Sequence, residues 1–211
     1  MTQTNSTDAV PVLSPRRDLK IAYMDWVRRH RRTVAIPLVF IVLVLAHFDE
    51  TYFMYSYFLI VAGEMLRIWA AGHLQKEKVL TTGGPYRWMR NPLYLGSLLI
   101  ALGFYLCMDS RWILLIIVAY FALFFVPVVK YEERLLNEKF PEEYPPYADA
   151  IPAFFPTIRI WQYPTTHFSF RQVMKNKEYN AILGILLAYA YLLFLRRNPG
   201  SGFESFLPTA V

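Results

Sequence analysis

Two apolar runs of membrane-crossing length, Leu93 to Met108 and Arg111 to Val129, are separated by nothing but Asp109 and Ser110. A bilayer core takes roughly 20 residues of helix to cross. Two such helices joined by two residues must lie side by side and antiparallel. Inside lipid the backbone polar groups are satisfied only within helices or closed barrels, so the hairpin predicts an all-α, polytopic membrane bundle. Further apolar runs extend it. Thr33 to Phe48 reads as a first span, Tyr52 to Gly72 as a second, and Tyr179 to Leu195 as a fifth that either crosses or packs on the bundle. About five transmembrane helices are therefore expected.

Charge orients the bundle. The first span follows Arg28-Arg29-His30-Arg31-Arg32 and ends at Asp49-Glu50, and the return from His73 to Asn91 carries Lys76, Lys78, Arg87 and Arg90. Cationic flanks stay on the cytoplasmic side, which places the N-terminus and that return in the cytoplasm. If the fifth run crosses, Arg196 and Arg197 stand against this rule. The net charge of +6 sits beside apolar runs rather than along a polar surface, so nucleic acid is not an expected partner, and 55% hydrophobic residues fit a membrane protein. A single cysteine, Cys107, allows no intramolecular disulfide and no cysteine-based metal site. Met1 to Lys20 is polar, lacks a secretory apolar core and is expected as a mobile tail. The resulting division is a tail and basic flank over 1–32, a membrane core over 33–130, an interfacial segment over 131–177, and a C-terminal apolar helix and tail over 178–211.

The core contains one polar loop with unusual chemistry. Gly83, Gly84 and Pro85 break any helix and allow close backbone approach, and Arg87 and Arg90 set two guanidinium groups beside that backbone. Asn91 and Pro92 then suit the N-cap and first turn of the next helix, so amide N–H groups and a positive dipole end join the two arginines. Such a place binds an anion. Within the second span, Glu64 and Arg67 share a helix face. They form either a mutual ion pair with Arg67 reaching toward the head groups, or a functional pair facing a partner or water.

The run GPYRWMRNPLYLG, from Gly84 to Gly96, resembles the GPY-x-x-x-R-H-P-x-Y-x-G signature of the membrane-embedded isoprenylcysteine carboxyl methyltransferase and phospholipid methyltransferase superfamily. After the next hydrophobic segment, Glu132-Glu133, Leu136, Phe140, Glu143-Tyr144, Tyr147 and Ile151-Pro152 are similar to that family's second motif. Asn91 stands where the family often has His. An amide takes up no proton at neutral pH, so positioning rather than base catalysis is expected there.

The resemblance implies S-adenosyl-L-methionine as methyl donor, and the residues suit it. Gly84, Pro85, Tyr86, Arg87, Arg90, Asn91, Pro92, Tyr94, Gly96, Glu132 and Glu133 are the candidate cofactor-binding residues. The arginines and helix start would take the carboxylate, and the tyrosines and glutamates the sulfonium and ribose. Arg90, Glu133, Glu64 and His73 are the candidate catalytic groups. An ionised carboxylate acceptor needs no base, whereas an amine must first lose a proton, to His73, Glu64 or the Glu132-Glu133 pair. No metal is implied.

The expected function is methyl transfer to a membrane lipid or lipidated substrate, most like isoprenylcysteine carboxyl O-methylation, from a cytoplasmic cofactor pocket open sideways to the bilayer. Phospholipid amine N-methylation, a sterol-type reductase using a nicotinamide cofactor, and a non-enzymatic membrane scaffold stay open as alternatives. The sequence sets no oligomeric state.

Overall fold

The computed structural model describes residues 15–44, 51–75, 78–108 and 111–198, and no strand occurs among them. In chain order the elements are α1 (Pro15–Val44), α2 (Phe53–His73), a 3-10 turn at Gly84–Arg87, α3 (Pro92–Met108) and α4 (Arg111–Tyr120). A π-helical turn, Phe121–Phe125, carries α4 into α5 (Val126–Lys139), and α6 (Tyr144–Ala150), α7 (Phe170–Lys175) and α8 (Tyr179–Arg197) follow.

Residues Arg111–Lys139 form one continuous helical rod of 29 residues. At 1.5 Å per residue it is about 43 Å long, more than the roughly 30 Å of a bilayer core. Its first five turns or so fill that thickness and its last turns, with Glu132 and Glu133, reach past it. The rod runs antiparallel to α3. Cys107 and Met108 pack with Ile113 at one end, while Tyr94 meets the Phe125 ring at 5.0 Å and Glu132 at the other.

Helices α2 and α3 come closest. A Cβ on Gly96 would lie 2.7 Å from the Gly63 carbonyl oxygen, and one on Gly103 would lie 3.0 Å from the Ser56 carbonyl oxygen. Small residues in register let the two backbones touch, as in other membrane helix pairs. α8 runs the length of the bundle. Glu178, just before it, pairs with Arg67 of α2, while Leu192 and Leu195 join Cys107 and Met108 at the far end, where Arg196 lies over the Phe53 ring.

The rod and α8 are both long and apolar enough to cross a membrane, and α3 is a shorter apolar helix. Only 17% of the apolar window of each long helix is buried within the protein. Leu115, Val118, Leu123, Leu183, Leu186 and Leu187 all face outward. An apolar face of that extent is stable against lipid and not against water, and with the apolar composition it makes this a membrane protein.

Two details add to the expected picture. The chain is helical from Pro15 and continues unbroken through the basic run into the first apolar segment. The rod widens into the π turn just before Pro127. Residues 1–14, the Asp49-Glu50 flank, Lys76, the Asp109-Ser110 connection and the tail after Asn198 lie outside the described residues.

Candidate functional site

The polar loop before α3 is held by the segment that follows α6, which runs back along it. The Arg90 and Thr157 N–H groups donate to the Pro152 and Trp88 carbonyls at 2.9 and 3.0 Å, and the Trp161 N–H donates to the Arg87 carbonyl at 3.0 Å. Further on, the Thr82 hydroxyl donates to the Tyr163 carbonyl at 2.9 Å and accepts from the Thr165 N–H at 3.1 Å. Gly84, at φ +57°, lies flat on the His73 ring, where a Cβ would come within 2.5 Å of the imidazole. The Tyr147 hydroxyl closes the arrangement by donating to the Tyr86 carbonyl at 2.7 Å. A loop whose regular structure is a single 3-10 turn thereby becomes a rigid wall.

Behind that wall lies a cavity of about 640 Å³, within the usual size of small-molecule sites. Its polar lining comes from Tyr86, Arg90, Asn91, Tyr94, Glu132 and Glu133, and its apolar lining from Leu74, Leu80, Leu136, Phe140 and the rings of Tyr144 and Tyr147. The two motifs meet across it. The Arg90 guanidinium pairs with Glu133 at 3.0 Å and donates to the Ala148 carbonyl at 3.2 Å, and the Tyr94 hydroxyl donates to Glu132 at 2.9 Å. Three groups here are buried without a hydrogen bond among the described residues: the Arg90 Nε, the Tyr144 hydroxyl and one Glu133 carboxylate oxygen, which has only the ion pair. All three are covered atoms of residues that line the cavity, and buried polar atoms are rarely left unpaired. Burial, and next the charge of Glu133, push the Tyr144 phenol up to about 12, so it stays protonated at neutral pH. Burial also pushes Tyr86 and Tyr147 upward.

The expected site residues divide into two groups. Tyr86, Arg90, Asn91, Pro92, Tyr94, Glu132 and Glu133 line the cavity; Gly84, Pro85, Arg87, Gly96, Glu64 and His73 do not. Gly84 and Pro85 shape the loop from behind. The Arg87 Nε donates to the Trp161 carbonyl at 2.9 Å, a loop clamp in place of the expected anion contact. Gly96 faces Gly63 and the Arg67 side chain, so its lack of a Cβ serves helix packing. The Asn91 amide donates to the Ala153 carbonyl at 3.1 Å instead of capping α3, whose Tyr94 and Leu95 amides bond to the Asn91 carbonyl. His73 is buried, with Nδ1 at 3.1 Å from the Trp69 carbonyl; a carbonyl only accepts, so Nδ1 carries the proton. Glu64 lies 3.6 Å from Arg67, whose guanidinium also pairs with Glu178 and donates to the Ser97 hydroxyl.

Three contributors were not foreseen. Tyr144 and Tyr147 stood inside the second motif, where a repeated tyrosine next to proline looked like loop chemistry, and Arg28 from the basic run of α1 reaches the cavity rim. Its guanidinium lies 5.2 Å from the Tyr131 ring of α5.

Comparison with known proteins agrees with the two-motif geometry. Residues 63–143 match the phospholipid methyltransferase family. Over 102 residues the chain is 35% identical to the cobalt-zinc-cadmium resistance protein CzcN of Cupriavidus metallidurans, and the match spans about half of each chain, 47%. Over 157 residues it is 30% identical to the nickel-cobalt-cadmium resistance protein NccN of Alcaligenes xylosoxydans xylosoxydans, covering 68% of this chain and 72% of that one. No solved structure matches.

Proposed function

Because this chain belongs to the phospholipid methyltransferase family, we propose that it transfers a methyl group from S-adenosyl-L-methionine to a lipid or lipid-linked acceptor within the membrane. The observation that carries this reading is the one cavity on which Arg90 and Tyr94 of the first motif face Glu132 and Glu133 of the second.

The residues fit the donor. It supplies an electrophilic methyl group on a sulfonium, together with a carboxylate, a ribose and an adenine. The Arg90 guanidinium would take the carboxylate, Glu132 and the Tyr94 ring would face the cation, and Leu136, Phe140 and Tyr147 would cover the flat base and exclude water. In-line displacement asks mainly for alignment in a dry site, which rigid walls provide.

The acceptor follows from what the wall lacks. Glu133 is held by Arg90, Glu132 accepts from Tyr94 and Glu138 is paired with Arg134, while His73 and Glu64 do not line the cavity, so no base stands ready to strip an amine. A prenylated cysteine carboxylate, already ionised, asks for none and is the favoured acceptor; a phospholipid amine is the second. We further propose five crossings, α1, α2, α3, the α4 to α5 rod and α8, with the cavity end cytoplasmic. Both relatives are named for metal resistance, and methylation of a membrane lipid or lipid-linked acceptor under metal exposure is the setting we propose for this chain.

The test is incubation of purified protein with labelled S-adenosyl-L-methionine and a total lipid extract. Label in a lipid product, lost in Arg90→Ala and Glu132→Ala, is the expected result. A soluble labelled product overturns lateral entry, and tight binding of a reduced nicotinamide dinucleotide with none of the methyl donor overturns the reaction class.

A further inference from the structure

A second cavity, of about 560 Å³, opens where the end of α2 meets the α7 to α8 corner. Arg67, Lys78, Lys175 and Lys177 line it against the single carboxylate of Glu178, four cations to one anion. Gln75 lines both this cavity and the first, so the two are neighbours at the same end of the bundle. Arg67 is neutralised by Glu178 and Glu64. Among the described residues no carboxylate on the cavity wall balances the three lysines in this way, and their joint potential favours a bound anion.

The backbone at the corner points the same way. Helix α7 ends in a paired-turn cap: the Glu178 N–H donates to the Val173 carbonyl at 3.3 Å and the Lys177 N–H to the Met174 carbonyl at 3.0 Å. That cap needs one left-handed residue, usually glycine. Here it is Lys177, at φ 58° and the only non-glycine residue with positive φ among those described. Glycine would hold this turn at less conformational cost, so the lysine side chain has a use that offsets it. Its ammonium lines the cavity.

The surroundings select the anion. Leu183 and Leu187, which share the face of α8 that carries the cavity-lining Asn180, are 56% and 63% exposed and run on from the cavity along the helix. Cations grouped at one end of a membrane bundle, with exposed apolar side chains alongside, match a phosphate head group with its acyl chains rather than a free ion. We propose that this second cavity binds the phosphate of an anionic phospholipid, as a site separate from the one that holds the methyl donor. Lys175, Lys177 and Lys78 contact the phosphate, and Leu183 and Leu187 of α8 the chains.

The test uses the full chain in detergent, titrated calorimetrically with short-chain phosphatidylglycerol, short-chain phosphatidylcholine and inorganic phosphate, with S-adenosyl-L-methionine binding measured alongside. Phosphatidylglycerol is expected to bind more tightly than either of the others. Lys177→Gly, which suits the turn, is expected to melt no lower than the parent and to weaken that binding about fivefold, with Lys175→Gln adding a similar factor. Inorganic phosphate binding as tightly as the lipid, and equally dependent on Lys177, makes the site one for free phosphate and overturns the lipid assignment. Equal affinity for the two lipids, or undiminished affinity in the double variant, overturns the site itself. Donor binding unchanged throughout separates these outcomes from any failure of the methyl-transfer reading.

Discussion

The Tyr23 hydroxyl of α1 donates a 2.8 Å hydrogen bond to the Leu123 carbonyl, the acceptor four residues before Pro127. Proline has no N–H to return to that position, so a neighbouring helix supplies the donor that the rod lacks. Tyr23→Phe is expected to lower stability by about 1 kcal/mol. In a Pro127→Ala background, where the amide is restored, the same change is expected to cost less, and a double-mutant cycle of melting in detergent reads the difference. Equal costs in both backgrounds would detach Tyr23 from the proline.

Close packing of α2 on α3 makes a second prediction. Gly96→Ala puts a methyl group 2.7 Å from the Gly63 carbonyl, where backbone rather than a mobile side chain must give way. A loss of about 1–3 kcal/mol is expected. Gly184, on α8, has nothing within 4 Å of its would-be Cβ, so Gly184→Ala is expected to be neutral or to stabilise by up to about 1 kcal/mol through helix propensity. Thermal melts of the two variants side by side check this, and a tolerated Gly96→Ala would mean the helices are not in contact there.

These positions show what the sequence carried and what it hid. The apolar helices and the α3 to rod hairpin were legible because apolar length and helix punctuation are local properties. The meeting of Arg90 with Glu133 was legible because a short hairpin brings its two ends together. Gly96 misled, since a missing Cβ looks the same whether it admits a ligand or a neighbouring helix. Glu178, the stronger partner of Arg67, was hidden: nothing near it in the chain refers to α2. The π turn at Phe121–Phe125 was equally silent in the sequence, arising where stacked rings such as Phe121 and Phe125, at 4.1 Å, precede a proline.

Alkaline pH gives a third prediction. The Tyr144 phenol, ordinarily near 10, is held up to about 12 by burial first and by the Glu133 charge second, with Arg90 opposing. The folded protein therefore keeps a proton that the unfolded chain gives up. This contribution is complete below pH 10 and is lost as pH rises from about 10 to about 12. Tyr86 and Tyr147 are shifted in the same direction and add to the loss. Melting temperature is expected to fall steeply above pH 10, and less steeply in Tyr144→Phe. Tyrosinate absorbance gives an independent reading, with a late-titrating component that the variant lacks.

The Arg90 and Glu133 pair links stability to ligand binding, and the two effects separate by variant. Both side chains are mostly buried, at 17% and 24% exposed, so removing one leaves the other as an uncompensated charge. Arg90→Ala is expected to destabilise by about 3 kcal/mol, and Arg90→Ala with Glu133→Ala by less than the sum of the single changes. Binding should follow a different rule. Arg90 also donates to the Ala148 carbonyl while lining the cavity, directions that a planar guanidinium serves together and an ammonium does not. Arg90→Lys is therefore expected to retain much of the fold while weakening S-adenosyl-L-methionine binding roughly 10-fold to 100-fold, the worth of a charge-assisted hydrogen bond. Glu133→Gln, which frees the guanidinium from its partner, is expected to bind the donor as well as the parent or better. Calorimetric titration of the three variants decides it: donor affinity that tracks melting temperature across the set would make the pair a structural clamp, whereas affinity that follows the guanidinium alone assigns Arg90 to the donor's carboxylate.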